Sequence, residues 1–159
     1  MNQIKVCCSG FPKARKHYFR EFKLVEIQRT FYSPPSMDRA AKWREEAPQD
    51  FEFSLKAWQL ITHLPSSPTY RKACLQIPSG KEKNYGFFRP SEEVLQSWQK
   101  TRDIALTLRS KVVVFQCPAK FTETPENIAN MRCLFATIER GDFIFVWGRD
   151  YRHEYTDMS

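Results

Sequence analysis

Glu26, Lys56 and His63 are the residues of this chain whose types could combine into a chemical centre. A carboxylate can act as a base or accept hydrogen bonds from a sugar or nucleobase. An ammonium can hold a phosphate or carboxylate, and an imidazole titrates near neutral pH and can pass a proton either way. Each also has a plain structural reading. Glu26 and Lys56 could neutralise each other as an ion pair, and His63 could be packed beneath the segment 57–90. Tyr32 could donate a hydrogen bond or simply pack its ring. Metal chemistry has little support, because His17, His63 and His153 show no ligand spacing and no carboxylate cluster accompanies them. No metal and no cofactor is therefore expected.

Strands must place these groups. Five short apolar runs read as strands: IKVCC (4–8), LVEIQ (24–28), FEFSLK (51–56), VVVFQ (112–116) and FIFVW (143–147). Helical patterns separate them. Residues 36–48 form a short helix stopped by Pro48. Residues 91–110 begin with a Ser91 cap and carry a stripe of Val94, Leu95, Trp98, Ala105 and Leu108. Residues 124–141 start with Thr124 as cap and Pro125 in the first turn, carry a stripe of Ile128, Met131, Phe135 and Ile138, and stop at Gly141. Strands alternating with helices predict an α/β fold built on parallel strands.

Parallel strands covered on both faces read as continuous apolar runs. Here Glu26 and Gln28 share one face of their strand, Glu52, Ser54 and Lys56 share another, and Gln116 closes a fourth. Burying these against helices is costly. A barrel resolves the conflict: Val25 and Ile27 face outer helices, while Glu26, Gln28, Lys56 and Gln116 point to the axis near the C-terminal strand ends. In barrels of this kind the active site lies at that end. Thr30 to Pro35 then shape the mouth.

The net charge of +7 is localised. Residues 1–23 hold six cations against one acid, a net +5, and residues 57–90 hold five against one, a net +4. The remainder is therefore −2. Both segments follow strands, so the expectation is a positive rim around the mouth, suited to an anionic small molecule or to nucleic acid. The alternative is a solvated surface. The segment 57–90 carries four prolines, and a loop of that length is functional or partly disordered. Its PSGKEKN stretch lacks phosphate-loop spacing. Tyr85, Phe87 and Phe88 beside it could stack on single-stranded nucleic acid, or pack under the loop.

A chain of 159 residues with 42% hydrophobic and 14% aromatic residues supports one packed domain. Five cysteines with no C-x-x-C pair read as small buried thiols. The start MNQIKVCC has no secretion signal and no run approaches a membrane span, so a cytoplasmic protein is expected.

The stretches VEIQRTFYSPP, FEFSLKAWQLITH and FQCPAKF resemble the YecE-like family, a TIM-barrel domain of unknown function. The matching positions are Glu26, Thr30, Phe31, Tyr32, Pro34, Lys56, Thr62, His63, Gln116, Pro118 and Phe121. Ser9, Gly10 and Phe11 match a Ser-Gly-aromatic turn after the first strand. The resemblance spans nearly all of residues 4–147. It implies a partial TIM barrel of about five strands, the N-terminal part of such a domain (1–147), followed by a polar tail (148–159). It also implies a site in which Glu26, Lys56 and His63 are catalytic candidates. Ser9, Gln28, Thr30, Tyr32, Thr62 and Gln116 are then ligand-binding candidates. Gln28 stands where the family has Asn, and Gly148 stands where many members have Glu. A full barrel needs about 250 residues, so the expectation is a truncated barrel, or one closed by self-association or a second chain. Three readings follow: an enzyme or enzyme remnant binding a phosphate-bearing anion, a nucleic-acid module using the basic rim, or an inactive fragment.

Overall fold

The computed structural model of the chain describes residues 4–149. Four strands, β1 (Leu24–Ile27), β2 (Glu52–Lys56), β3 (Val112–Cys117) and β4 (Ile144–Arg149), form one parallel sheet in chain order. The helices are α1 (Arg15–Glu21), α2 (Arg29–Tyr32), α3 (Met37–Glu46), α4 (Gln59–Thr62), α5 (Pro68–Lys72), α6 (Glu92–Leu108) and α7 (Pro125–Thr137). A single 3-10 turn lies at Glu82–Asn84.

The ends of the long helices follow local chemistry. Ser91 Oγ accepts from the Val94 amide, and two glutamates sit in the first turn of α6, where the helix dipole favours negative charge. Arg109 ends it in the left-handed conformation. Thr124 Oγ1 accepts from the Asn127 amide, with Pro125 next. Gly141 is not the stop of α7. The helix ends at Thr137 because Ile138 turns extended and buries its side chain. The expected stripe on α7 also shifts: Ile128 is 42% exposed, while Leu134 and Asn127 are buried.

Four strands form, not five. Residues 4–8 are not a strand; the segment touches β1 through one bridge, Ser9 to Glu26. There the Gly10 amide donates to Glu26 O at 2.8 Å, and the Glu26 amide donates to Cys8 O at 3.2 Å. The next rung would run from the Cys8 amide to Leu24 O. The buried Tyr18 hydroxyl occupies it instead, accepting from the Cys8 amide and donating to Leu24 O, both at 2.9 Å. A phenol hydroxyl can do both at once, so the ladder is split open by one ring.

The sheet is covered on one face. Val25, Ile27, Phe53, Leu55, Val113, Phe115 and Cys117 are buried under the helices. Phe115 sits within a ring cluster of Trp98, Phe88, Phe135 and Phe145. The opposite face carries Glu26, Lys56, Gln116, Val112, Val114, Ile144 and Val146, with Ile144 52% and Val146 40% exposed. A parallel sheet wetted on one side is the wall of a barrel rather than a doubly wound layer. Residues 57–90 are folded, with their own small core of Leu60, Tyr70 and Tyr85. Among the described residues no helix is long and apolar enough to cross a membrane.

Candidate functional site

The open face brings together four of the expected site residues in one polar row. Side chains alternate across a strand, so Glu26 on β1, Lys56 on β2 and Gln116 on β3 emerge on the same side. Register sets their order: Glu26 lies opposite Ser54, Lys56 opposite Val114, and Gln116 opposite Gly148. The row therefore climbs two residues per strand toward the C-terminal ends. Ser9 joins it from the bridged segment, donating to Glu26 Oε1 at 2.9 Å. Lys56 Nζ donates to Gln116 Oε1 at 2.5 Å and lies 3.7 Å from Glu26 Oε1. That second separation is an ion pair without a formed hydrogen bond. The ammonium is thus held by a neutral amide and steadied by one carboxylate, with its side chain 10% exposed. β4 adds no side chain at its level, because Gly148 stands there with open space where a Cβ would be.

The remaining candidates sit behind this row rather than in it. Gln28 is not a strand residue: β1 ends at Ile27, and Gln28 is the helical cap residue of α2. Thr30 is buried, its Oγ1 2.7 Å from Ile27 O and 2.6 Å from Lys56 O. Its one hydrogen ties the end of β1 to the end of β2 and so holds the backbone that carries Lys56. Tyr32 packs edge-on against Phe31, and the same Phe31 ring meets the His63 imidazole at 4.9 Å. His63 is 5% exposed, with Nδ1 2.9 Å from Thr62 Oγ1 and its carbonyl accepting from the Tyr70 hydroxyl at 2.9 Å. Burial pushes the Tyr70 phenol well above its ordinary range, and neighbouring Tyr85 adds to the shift, so it stays a donor.

His63 is also locked from above. Gly86, Phe87 and Phe88 are consecutive left-handed residues, φ +77, +52 and +54. Their amides donate to the carbonyls of Leu60, Thr62 and Ile61 at 2.8, 3.3 and 2.9 Å, which satisfies the end of α4. The turn fits because Gly86 has no side chain to meet the His63 backbone.

The charge map departs from the sequence expectation. Lys5, Arg15 and Lys23 pair with Glu52, Glu46 and Asp50, acids of the segment entering β2. Lys16 and Arg20 line a groove of about 570 Å³ with Glu46, Ala47 and Pro48. These five cations gather around the N-terminal end of β2, away from the mouth. The reason is tertiary: α1 packs beside the chain that leads into β2, where its acids lie. Arg149, expected in the tail, is instead the last residue of β4, at the mouth end. Its guanidinium donates to Ala119 O and lines a cavity of about 320 Å³ with Thr122, Glu123, Asn127 and Trp147. The signal that could have found it is strand length: extending the fifth apolar run by two residues reaches it. Residues 150–159 of the expected tail lie outside the described residues. Among those described, no three His, Cys, Asp or Glu side chains are grouped to hold a metal ion.

Comparison with known proteins places this architecture. The family described as "Protein of unknown function DUF72" matches residues 10–153. The UPF0759 protein YunF of Bacillus subtilis (strain 168) is 28% identical over 121 residues, 76% of this chain and 37% of YunF. Two crystal structures of a DUF72 family protein from Enterococcus faecalis V583, at 2.52 and 3.10 Å resolution, superpose with TM-scores of 0.61 and 0.63 at 18% identity. They cover 91% of this chain but only 51% and 50% of theirs. The chain therefore spans about half the length of these solved relatives, and its sheet and helices are a partial TIM-like barrel.

Proposed function

This chain belongs to the DUF72 family, and from that premise we propose that it is an enzyme or enzyme-derived barrel whose open sheet face holds a phosphate-bearing anion on Lys56. The supporting observation is how Lys56 is held. Its ammonium lies at the C-terminal strand end on the uncovered face, hydrogen-bonded to Gln116, with Glu26 3.7 Å away. A lysine has three donors, and the described partners take one as a hydrogen bond. A phosphate oxygen can enter from the open side without breaking that bond. Low surrounding exposure strengthens such a contact relative to one in bulk water. Ser9 and Gln116 supply neutral hydrogen-bonding groups on either side, and Arg149 places a second cation at the same end of the sheet.

Glu26 is then the regulator of affinity. Its carboxylate attracts the ammonium and repels an incoming anion, so the two effects oppose each other. The reading is tested with inorganic phosphate as probe, by calorimetric titration at fixed ionic strength. Wild type is expected to bind, Lys56→Met to lose binding while keeping its far-ultraviolet circular dichroism, and Glu26→Gln to bind several-fold tighter. Equal binding by Lys56→Met, or no binding by wild type at millimolar phosphate, rejects the reading. An unchanged affinity in Glu26→Gln would reduce Glu26 to a structural partner of Lys56.

A further inference from the structure

The apolar residues left on the surface are not scattered. Of the eight large hydrophobic side chains that are exposed among the described residues, Ile144, Val146 and Trp147 lie on β4, and Ile128 lies on the neighbouring α7. Ile4 and Val6, at 91% and 72% exposure, lie on the bridged segment at the other edge of the sheet. Only Met37 and Leu106 lie elsewhere. Clustered apolar exposure of this kind marks an interaction surface. β4 adds a second signature. It is six residues long, pairs only with β3 among the described residues, and so presents a row of backbone donors and acceptors at an apolar edge.

The solved relatives indicate the shape of the missing cover, since about half of their fold has no counterpart in this chain. A TIM barrel repeats one strand–helix unit around an axis. Four such units from one chain have the same curvature and hand as the four that would face them. A second copy related by a twofold along that axis presents its first edge to β4, with its strands running parallel, and presents its own β4 to the first edge of the first copy. Both junctions are identical, so the assembly closes without leaving a free edge. We propose that the open face and both sheet edges are the interface with a second copy of this chain, forming a ring of two half-barrels. In it the two Lys56 rows face one another across a shared lumen.

The molar mass in solution tests this, and needs no ligand, so its result is separate from that of the anion reading. Light scattering across a dilution series is expected to give twice the 18.8 kDa of one chain at the upper concentrations. The paired change Ile144→Lys with Val146→Lys is expected to give the mass of one chain, whereas Leu106→Lys, on the outer side of α6, leaves the doubled mass unchanged. Hydrogen exchange on wild type supplies a readout that survives if the paired variant does not fold: amides of 144–149 are expected to exchange faster on dilution, while those of 112–117 hold. A single-chain mass at 100 µM, a mass that grows without limit, or a dimer that persists in the paired variant overturns the proposal.

Discussion

Gly86→Ala tests whether the left-handed turn really clamps the segment that carries Thr62 and His63. Gly86 has φ +77, and a Cβ built there would stand 2.4 Å from His63 O and 2.5 Å from His63 C. Two costs add. A non-glycine residue in the left-handed region costs about 1–2 kcal/mol. Overpacking against atoms that cannot rotate away costs about 1–3 kcal/mol more, and these are backbone atoms. The sum is about 2–5 kcal/mol. At about 2–4 °C per kcal/mol for a chain of this size, Tm should fall by roughly 4–20 °C. Gly80→Ala is the internal control: φ is +84 there, yet nothing lies within 4 Å of the added carbon. It should carry the conformational cost alone, about 1–2 kcal/mol. Urea unfolding of both variants measures the difference. Equal losses at the two positions would show that the contact with His63 relaxes freely, and the account of a locked imidazole would fail.

Two further outcomes follow from particular hydrogen bonds. Tyr18→Phe removes the hydroxyl that serves both the Cys8 amide and Leu24 O, and should cost about 1–3 kcal/mol in urea unfolding. Undiminished stability would mean that the first segment zips onto β1 once the ring's oxygen is gone. The Glu93 carboxyl is lowered from 4.5 to about 2, first by the hydrogen bond from Lys81 and then by that from Asn84. Because the folded value lies below the unfolded one, its contribution is complete above pH 4.5 and disappears as pH falls toward 2. Glu93→Gln should therefore lose less stability than the parent across that window, and parallel curves for the two proteins would contradict the assignment.

What could be read from the sequence was what local rules encode. The caps at Ser91 and Thr124 appear where expected, because an oxygen at that position meets an orphan amide whatever the rest of the chain does. The same holds for the face shared by Glu26, Lys56 and Gln116, since alternation along a strand needs no knowledge of its neighbours. Local patterns failed where a distant residue decided the outcome. IKVCC has the composition of a strand, but Tyr18 fills the rung it needed. Ile128 keeps the helical period, yet Asn127 is the buried member of that turn, because its Nδ2 donates to Thr122 O at 2.8 Å.

The charges failed for the same reason, and the failure changes the functional argument. A net +5 in residues 1–23 is a sequence property, but a field at the mouth depends on where each cation finds its acid. Lys5, Arg15 and Lys23 find theirs beside the start of β2, the far end of the sheet from the polar row. A nucleic-acid surface that relied on a continuous basic rim loses that side of its support. The Lys56 row does not depend on the rim. Its charge is local, held on β2 between Glu26 and Gln116, and its backbone is tied to β1 through Thr30. A compact site of this kind discriminates by geometry rather than by long-range attraction. Its phosphate affinity should therefore fall only weakly between 50 and 200 mM salt, whereas binding through many surface cations falls by orders of magnitude over that range.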